Sequence, residues 1–482
     1  MTLEHDGEKG HRLKATLADA IDGYGSLPAL RAAASQRIAM DIQFLNHASV
    51  KLITRQVRIT SDPWYSGAAF NNGWDLIRTG DDLVALGSDA THFWLSHEHP
   101  DHFSIDFFKS TPNRSARVLF QKTTDHRVAS FLKAQGFAVD EIAEGQDFAV
   151  ASNETMRVSR CGFYDSWNLF RADGKAILNL NDCELNTDHD LKALSAQLGP
   201  IDVLLTQFSY AAWKGGRDNK PLRQAAASDK LKTIRRQIEH LKPKWVIPFA
   251  SFVYFSHVEN FYLNDSINQI DAVVETIEKS GSTAVVMKPR DSWTVGETWD
   301  NRSATAFWRD AYASIPTLPR RSAAKSVPLP VLTEHCRQYQ QRVFDKNAKW
   351  LIHLASLVPT VGAFRPIVIH LTDLNTSVTF SFFSDLEPAN DAPPDVEMSS
   401  ENLDFIFLNE FGYDTLTVNG RFEASTSGFA GMTKNFAIGS LNALGLGIRP
   451  SLIFKADVVL LLLDKLRSFL RKMDRSDATA KP

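Results

Sequence analysis

Cysteine is scarce in this chain. Only Cys161, Cys183 and Cys336 occur in 482 residues, none in C-x-x-C spacing. That excludes a disulfide framework and a thiolate zinc site, and a reducing cytoplasm is the simplest compartment. Long apolar runs are missing too. The longest, Val458 to Leu463, is far too short to cross a bilayer, so no transmembrane anchor is expected. The first residues, Met1 to Arg12, are charged and carry no signal-peptide core. An excess of one charge is also absent: the formal net charge of −3 gives no reason to expect nucleic acid or an anionic membrane as an obligatory partner. With 44% hydrophobic and 23% charged residues the composition is that of a globular protein, and 482 residues call for two or three domains.

Residues 1–40 read as a helical extension, alanine-rich and broken near Gly23 to Pro28. From about 41 to 300, short apolar strands alternate with helices. Candidate strands are Phe93-Trp94-Leu95, Val118-Leu119-Phe120, Ala176 to Leu180, Val203-Leu204-Leu205, Trp245-Val246-Ile247 and Ala284 to Met287. Leu231, Ile234, Ile238 and Leu241 mark an amphipathic helix, and a second helix near Asp271 to Ser280 is expected to end at Gly281. Pro316, Pro319, Pro328 and Pro330 suggest an interdomain linker over 301–330. Beyond it, residues 331–482 have an α+β texture. Ile367 to Phe383 reads as a hairpin, Ser399 or Ser400 as a helix cap, and Asn419-Gly420 as a hairpin turn between Leu416-Thr417-Val418 and Arg421-Phe422-Glu423. A leucine-rich final helix, Leu452 to Leu470, suits core or dimer packing, which is compatible with a homo-oligomer; lipid contact is the alternative.

The chemistry concentrates at His97-Glu98-His99-Pro100-Asp101-His102, where an apolar strand ends. His97 and His99 are two apart and project to one side of extended chain. Pro100 turns the backbone, after which Asp101 and His102 can serve a second ion nearby. Glu98 points the other way and is read as an orienting partner for an imidazole.

This H-x-H-x-D-H run resembles the signature of the metallo-β-lactamase-fold superfamily. Upstream, His47-Ala48-Ser49-Val50 opens a strand-like stretch to Ile59, followed by Thr60-Ser61-Asp62-Pro63-Trp64. Ser66-Gly67-Ala68-Ala69-Phe70, Gly73-Trp74, Leu178 to Cys183, Pro248 to Phe252 and His257 complete an order similar to the branch containing CMP-N-acetylneuraminate hydroxylase, over roughly residues 40 to 295. The resemblance implies an α/β chain: an αββα sandwich, here followed by a smaller α+β domain whose Asn-Gly-Arg-Phe turn is similar to sterol-carrier-protein-type domains. It also implies a binuclear site, with His97 and His99 on the first ion, Asp101 and His102 on the second, Asp182 bridging, and His257 as the last histidine of the second. His47 would line the cleft.

The superfamily normally adds a histidine just before the bridging carboxylate, yet none lies between His126 and His189. Asp165 is the best replacement there, with Tyr164 as an outsider; the alternative is an ion short of one protein ligand. A carboxylate donor favours iron, with manganese also served, over zinc, and the diiron β-hydroxylase branch of the fold resembles this pattern. Two readings follow. One is a non-haem diiron oxygenase acting on a small-molecule substrate. The chain has no C-x-H and C-x-x-H pair for a Rieske cluster, so electrons come from a separate donor or from the substrate. The other is a zinc-dependent hydrolase of an ester, lactone or phosphodiester, in which Asp101 accepts a proton. A third, non-catalytic reading makes the C-terminal part a lipid carrier. Trp213-Lys214-Gly215-Gly216-Arg217 suits either substrate contact or solvated surface.

Overall fold

The computed structural model describes residues 40–450, apart from 163, 323–325, 358–361, 390, 391 and 444. The helices expected before residue 40 and over Leu452 to Leu470 lie outside the described residues. Two seven-stranded sheets build the first half. One runs in the order Ser292–Thr294, Asp41–Asn46, Ser49–Ile53, Arg58–Ser61, His92–Leu95, Arg117–Gln121, Ala138–Ile142. The other runs Thr283–Ala284, Trp245–Phe249, Val203–Gln207, Lys175–Asn181, Asp165–Ala172, Glu154–Cys161, Asp147–Ala151.

Strand alternation explains the layers. Phe93 and Leu95 join one apolar cluster with Phe107, Phe108 and Leu132 from short helices, whereas Trp94 between them joins the main core. Val118 and Phe120 likewise part from Leu119. The continuous apolar runs in the sequence are therefore strands buried on both faces, with helices outside and the second sheet inside. The second sheet is covered by Asp188–Leu198, Lys220–Leu241 and Ile270–Lys279, which bury Leu191, Ile234, Ile238, Val273 and Ile277. The last helix is capped at Ser280, and Gly281 follows with φ of +92°, the left-handed step that ends helices. This is the αββα sandwich.

The segment expected as a linker departs from that expectation. Helix Arg302–Ala313 packs Ala304, Trp308 and Ala311 into the first core, with Trp308 stacked on Phe252 at 3.8 Å. Pro316 and Pro319 follow this helix, and Pro328 and Pro330 open helix Leu329–Lys346, so the first part of 301–330 is core rather than connector because its aromatic stripe has a core to enter.

The second half has its own core and a five-stranded sheet, ordered Glu387–Pro388, Thr376–Phe380, Ile367–Leu371, Val396–Met398, Glu423–Ala424, with helices such as Leu329–Lys346, Ser400–Leu408 and Thr426–Ala443. The Ile367–Phe383 hairpin and the Ser399 cap position hold. The Asn419-Gly420 hairpin does not. Gly412–Asn419 is a helix that ends at Gly420 with φ of +65°, its amide donating to the Leu416 carbonyl. Asn-Gly serves a left-handed helix cap as well as a tight hairpin turn, and the helix won. Among the described residues no helix is long and apolar enough to cross a membrane.

Candidate metal centre

The site gathers where parallel strands of both sheets end. Asp62 follows Arg58–Ser61, His97 follows His92–Leu95, and Asp182 follows Lys175–Asn181. His47 lies in the turn joining Asp41–Asn46 to Ser49–Ile53, and Asp165 begins the strand antiparallel to Lys175–Asn181. Several of these strand ends use left-handed backbone without glycine: His47 (φ +41°), Asp62 (+37°), Asn181 (+51°) and Ala250 (+52°). Such conformations cost about 1 kcal/mol or more each, and they cluster where function overrides local preference.

Three groups of potential donors have their atoms within 4.8 Å of one another: His97, His99 and Asp165; His97, His102 and Asp182; His47, Asp101 and His102. His97 Nε2 faces His99 Nδ1 at 2.9 Å and Asp165 Oδ1 at 3.6 Å. His102 Nε2 lies 3.2 Å from Asp101 Oδ2 and 3.4 Å from Asp182 Oδ2, and His47 Nε2 lies 3.3 Å from Asp101 Oδ2. The far sides of two imidazoles are fixed. The hydroxyl of Ser96 donates to Asp62 and accepts from His97 Nδ1 at 2.9 Å, while His102 Nδ1 donates to Asp62 Oδ2 at 3.2 Å. Asp62 also receives the Ser96 amide and the Asn181 side-chain amide. That network turns Nε2 of His97 and of His102 inward, the nitrogen each ring would offer a metal, which for His102 means displacing the proton that Asp101 and Asp182 favour.

Electrostatics agree with a place for cations. Burial, with the neighbouring imidazoles, pushes His97 and His99 down to about 4, so both rings are neutral at neutral pH, as a metal donor must be. Burial also pushes Asp165 up to about 6, with the Asp182 carboxylate adding to it. For His102, Asp101 and Asp182 burial disfavours charge, but their mutual attraction outweighs it: the imidazole is raised well above its ordinary value and both carboxylates are lowered. His47 Nδ1, Asp101 Oδ1, His102 Nε2 and Asp182 Oδ1 are buried without a hydrogen-bond partner. Donors that crowd together yet leave polar atoms without partners fit bound metal, and the mixed nitrogen and oxygen set fits iron, manganese or zinc.

Of the residues expected from sequence, His97, His99, Asp101, His102, Asp165 and Asp182 are brought together. His257 is not. The chain leaves Trp245–Phe249 through Ala250 and returns along Val253–Phe255, which carries His257 away to Glu259, 3.2 Å from its Nδ1. His47 takes the place instead, with the Ala250 amide donating to its carbonyl. Its side chain thus joins Asp101 and His102 in a group that could hold an ion, beyond lining the cleft. Glu98 is also corrected: it orients no imidazole and faces Arg127 at 3.7 Å, because Ser96 and Asp62 already hold the rings. Tyr164 turns its hydroxyl to Asp414 at 2.9 Å, with its ring 5.8 Å from His99. Asp62, Ser96 and Asn181 were missed as orienting groups. The signal available for Asp62 was a buried-looking acid at a strand end, directly before proline.

Residues 41–250 match the family model described as the beta-lactamase superfamily domain. A Mycobacterium tuberculosis protein provisionally named a Rieske 2Fe-2S iron-sulfur protein is 26% identical over 243 residues, covering 47% of this chain and 46% of its own. Cytidine monophosphate-N-acetylneuraminic acid hydroxylase of Pan troglodytes is 23% identical over 277 residues, 53% and 46% of the two chains. The chain thus spans about half the length of the curated relatives it matches. Among solved structures, CmlA, a diiron β-hydroxylase from Streptomyces venezuelae, is 15% identical with a TM-score of 0.37, covering 57% of this chain and 58% of that one. Igni18, a metallo hydrolase from Ignicoccus hospitalis, is also 15% identical with a TM-score of 0.37, covering 54% and all of that chain. Residues 41–250 of this chain thus match the beta-lactamase superfamily domain, and they carry, at the strand ends where the two sheets meet, side chains that could hold metal.

Proposed function

We propose that this chain is a binuclear metalloenzyme, a non-haem diiron oxygenase that hydroxylates a small-molecule substrate. The observation that carries the reading is the position of Asp165, a carboxylate beside His97 and His99 where a third imidazole would suit zinc. The hydroxylase name of one group of relatives supports it.

In this reading His97, His99 and Asp165 would hold one ion and His47, Asp101 and His102 the other, with Asp182 close to both histidine sets. When bound, such an iron pair supplies the dioxygen chemistry that no side chain can perform alone. The protein does the rest. Asp62 and Ser96 keep two imidazoles aimed inward. Phe70, 5.5 Å from His99, and Trp74 against it form an apolar wall that excludes water from one side. Tyr164 and Asp165 remain partly accessible and form the side open to substrate. Electrons come from a separate reductase or from the substrate, since the three cysteines provide no Rieske ligand set.

The test is metal analysis of purified protein produced with iron and zinc both supplied, followed by dioxygen uptake with reductant. About two irons per chain and reductant-dependent uptake are the expected result. Zinc at both positions with dioxygen-independent hydrolysis of esters, lactones or phosphodiesters would overturn the oxygenase and leave a hydrolase, with Asp101 as proton acceptor.

A further inference from the structure

Three successive residues without glycine, Phe70, Asn71 and Asn72, adopt left-handed backbone (φ +51°, +51° and +60°). For Phe in particular this is a sparsely populated region, and it persists only where surroundings over-determine it. The surroundings here come from the other half of the chain. Asn419 Nδ2 donates to the Phe70 carbonyl at 3.1 Å, and Arg421 Nη1 donates to the Asn71 carbonyl at 2.7 Å. Asn260 ties the two sides, donating to the carbonyls of Gly73 at 2.9 Å and Asn419 at 2.7 Å.

The seam is tight. A Cβ on Gly73 would collide with Asn419 Cβ. Arg421 is fully buried and is itself fixed by Glu259 at 2.7 Å and Glu401 at 2.8 Å. The strained turn has one consequence at the metal centre: it lays the Phe70 ring against His99, braced from behind by Trp74 at 4.7 Å.

We propose that the C-terminal half is a working part of the metal centre: Asn419 and Arg421 form a hook that holds the Phe70–Asn72 turn in its strained shape and so keeps Phe70 packed on His99. Asn419, Arg421 and Phe70 are positioning residues, acting on the ion held by His97, His99 and Asp165 through the His99 ring. This rests on the metalloenzyme reading above.

The experiment titrates cobalt(II) into metal-stripped full-length protein and follows its visible absorption. Asn419→Ala removes the side-chain bond and keeps the carbonyl that Asn260 needs; Gly73→Ala wedges the seam from the opposite side; Phe70→Leu keeps an apolar filler but removes the ring. Each is expected to weaken cobalt binding at one position by about tenfold, the lower end for supporting residues of a metal ligand, and to shift its absorption bands. Val378→Ala, deep in the second core, should lower the melting temperature and leave cobalt affinity and spectrum alone. Wild-type spectra and affinities in all three seam variants would overturn the hook while leaving the metal site standing. An equal spectral change in Val378→Ala would also overturn it, reducing the effect to general loosening. A wild-type chain that binds no cobalt would overturn both the hook and the metalloenzyme reading.

Discussion

The two halves of the molecule meet the metal centre in different ways. The first half presents its donors at strand ends, and four of them, His97, His99, Asp101 and His102, come from six consecutive residues. Among the described residues the second half presents no donor to the three groups, yet it reaches the same place through Asn419, Arg421 and Asp414. Donor chemistry is therefore local in sequence, whereas the shape of the wall around it depends on contacts some 350 residues apart. The region that matches the beta-lactamase superfamily domain carries the candidate donors, and the second half packs against the wall beside them.

The sharpest break in this comparison is His97→Ala. His97 belongs to two of the three donor groups, so its loss should reduce bound metal from about two ions to one or fewer per chain, measured by elemental analysis. Next comes a pair that tests His47 against His257. His47→Ala should empty the second position, while His257→Gln should leave metal content unchanged, because that ring faces Glu259 in the seam. The reverse result would restore the order expected from sequence. Asp62→Asn is expected to keep the fold but weaken metal affinity by roughly 10- to 100-fold, since it loses its charge against Ser96, Asn181 and His102 at once. On the other side of the comparison, Arg421→Leu would leave Glu259 and Glu401 facing each other without a cation. Chemical unfolding should then show a loss of roughly 3 kcal/mol or more. The smallest effect belongs to Glu98→Gln. It faces Arg127 rather than a ligand ring, so metal affinity should stay within about threefold of wild type, well below the loss typical of a true orienting partner.

How much was legible follows the same divide. The H-x-H-x-D-H run could be read because strand periodicity and a proline turn place near neighbours predictably, whereas Asp165 and Asp182 were indicated by the family resemblance. Continuous apolar runs such as Val118-Leu119-Phe120 announced strands buried on both faces. His257 misled because counting to the next histidine after a strand ignores where the chain goes, and Ala250 sends it away from the cluster. His47 was undervalued because a left-handed turn between two strands leaves no clear mark in sequence. Leu416 to Val418 has strand-favouring residues, yet the Asn-Gly that follows fits a helix cap equally well, and packing of the second core decided between them. The seam at Asn419 and Arg421 was invisible for a simpler reason: no local pattern encodes a hydrogen bond to Phe70 or Asn71.

The most direct test of the account is anomalous X-ray scattering at the iron edge from crystals of the full-length protein grown with iron. Two peaks are predicted, one among His97, His99 and Asp165 and the other among His47, Asp101 and His102, with Asp182 between them. A single peak, a peak beside His257, or iron absent while zinc fills the site would contradict it.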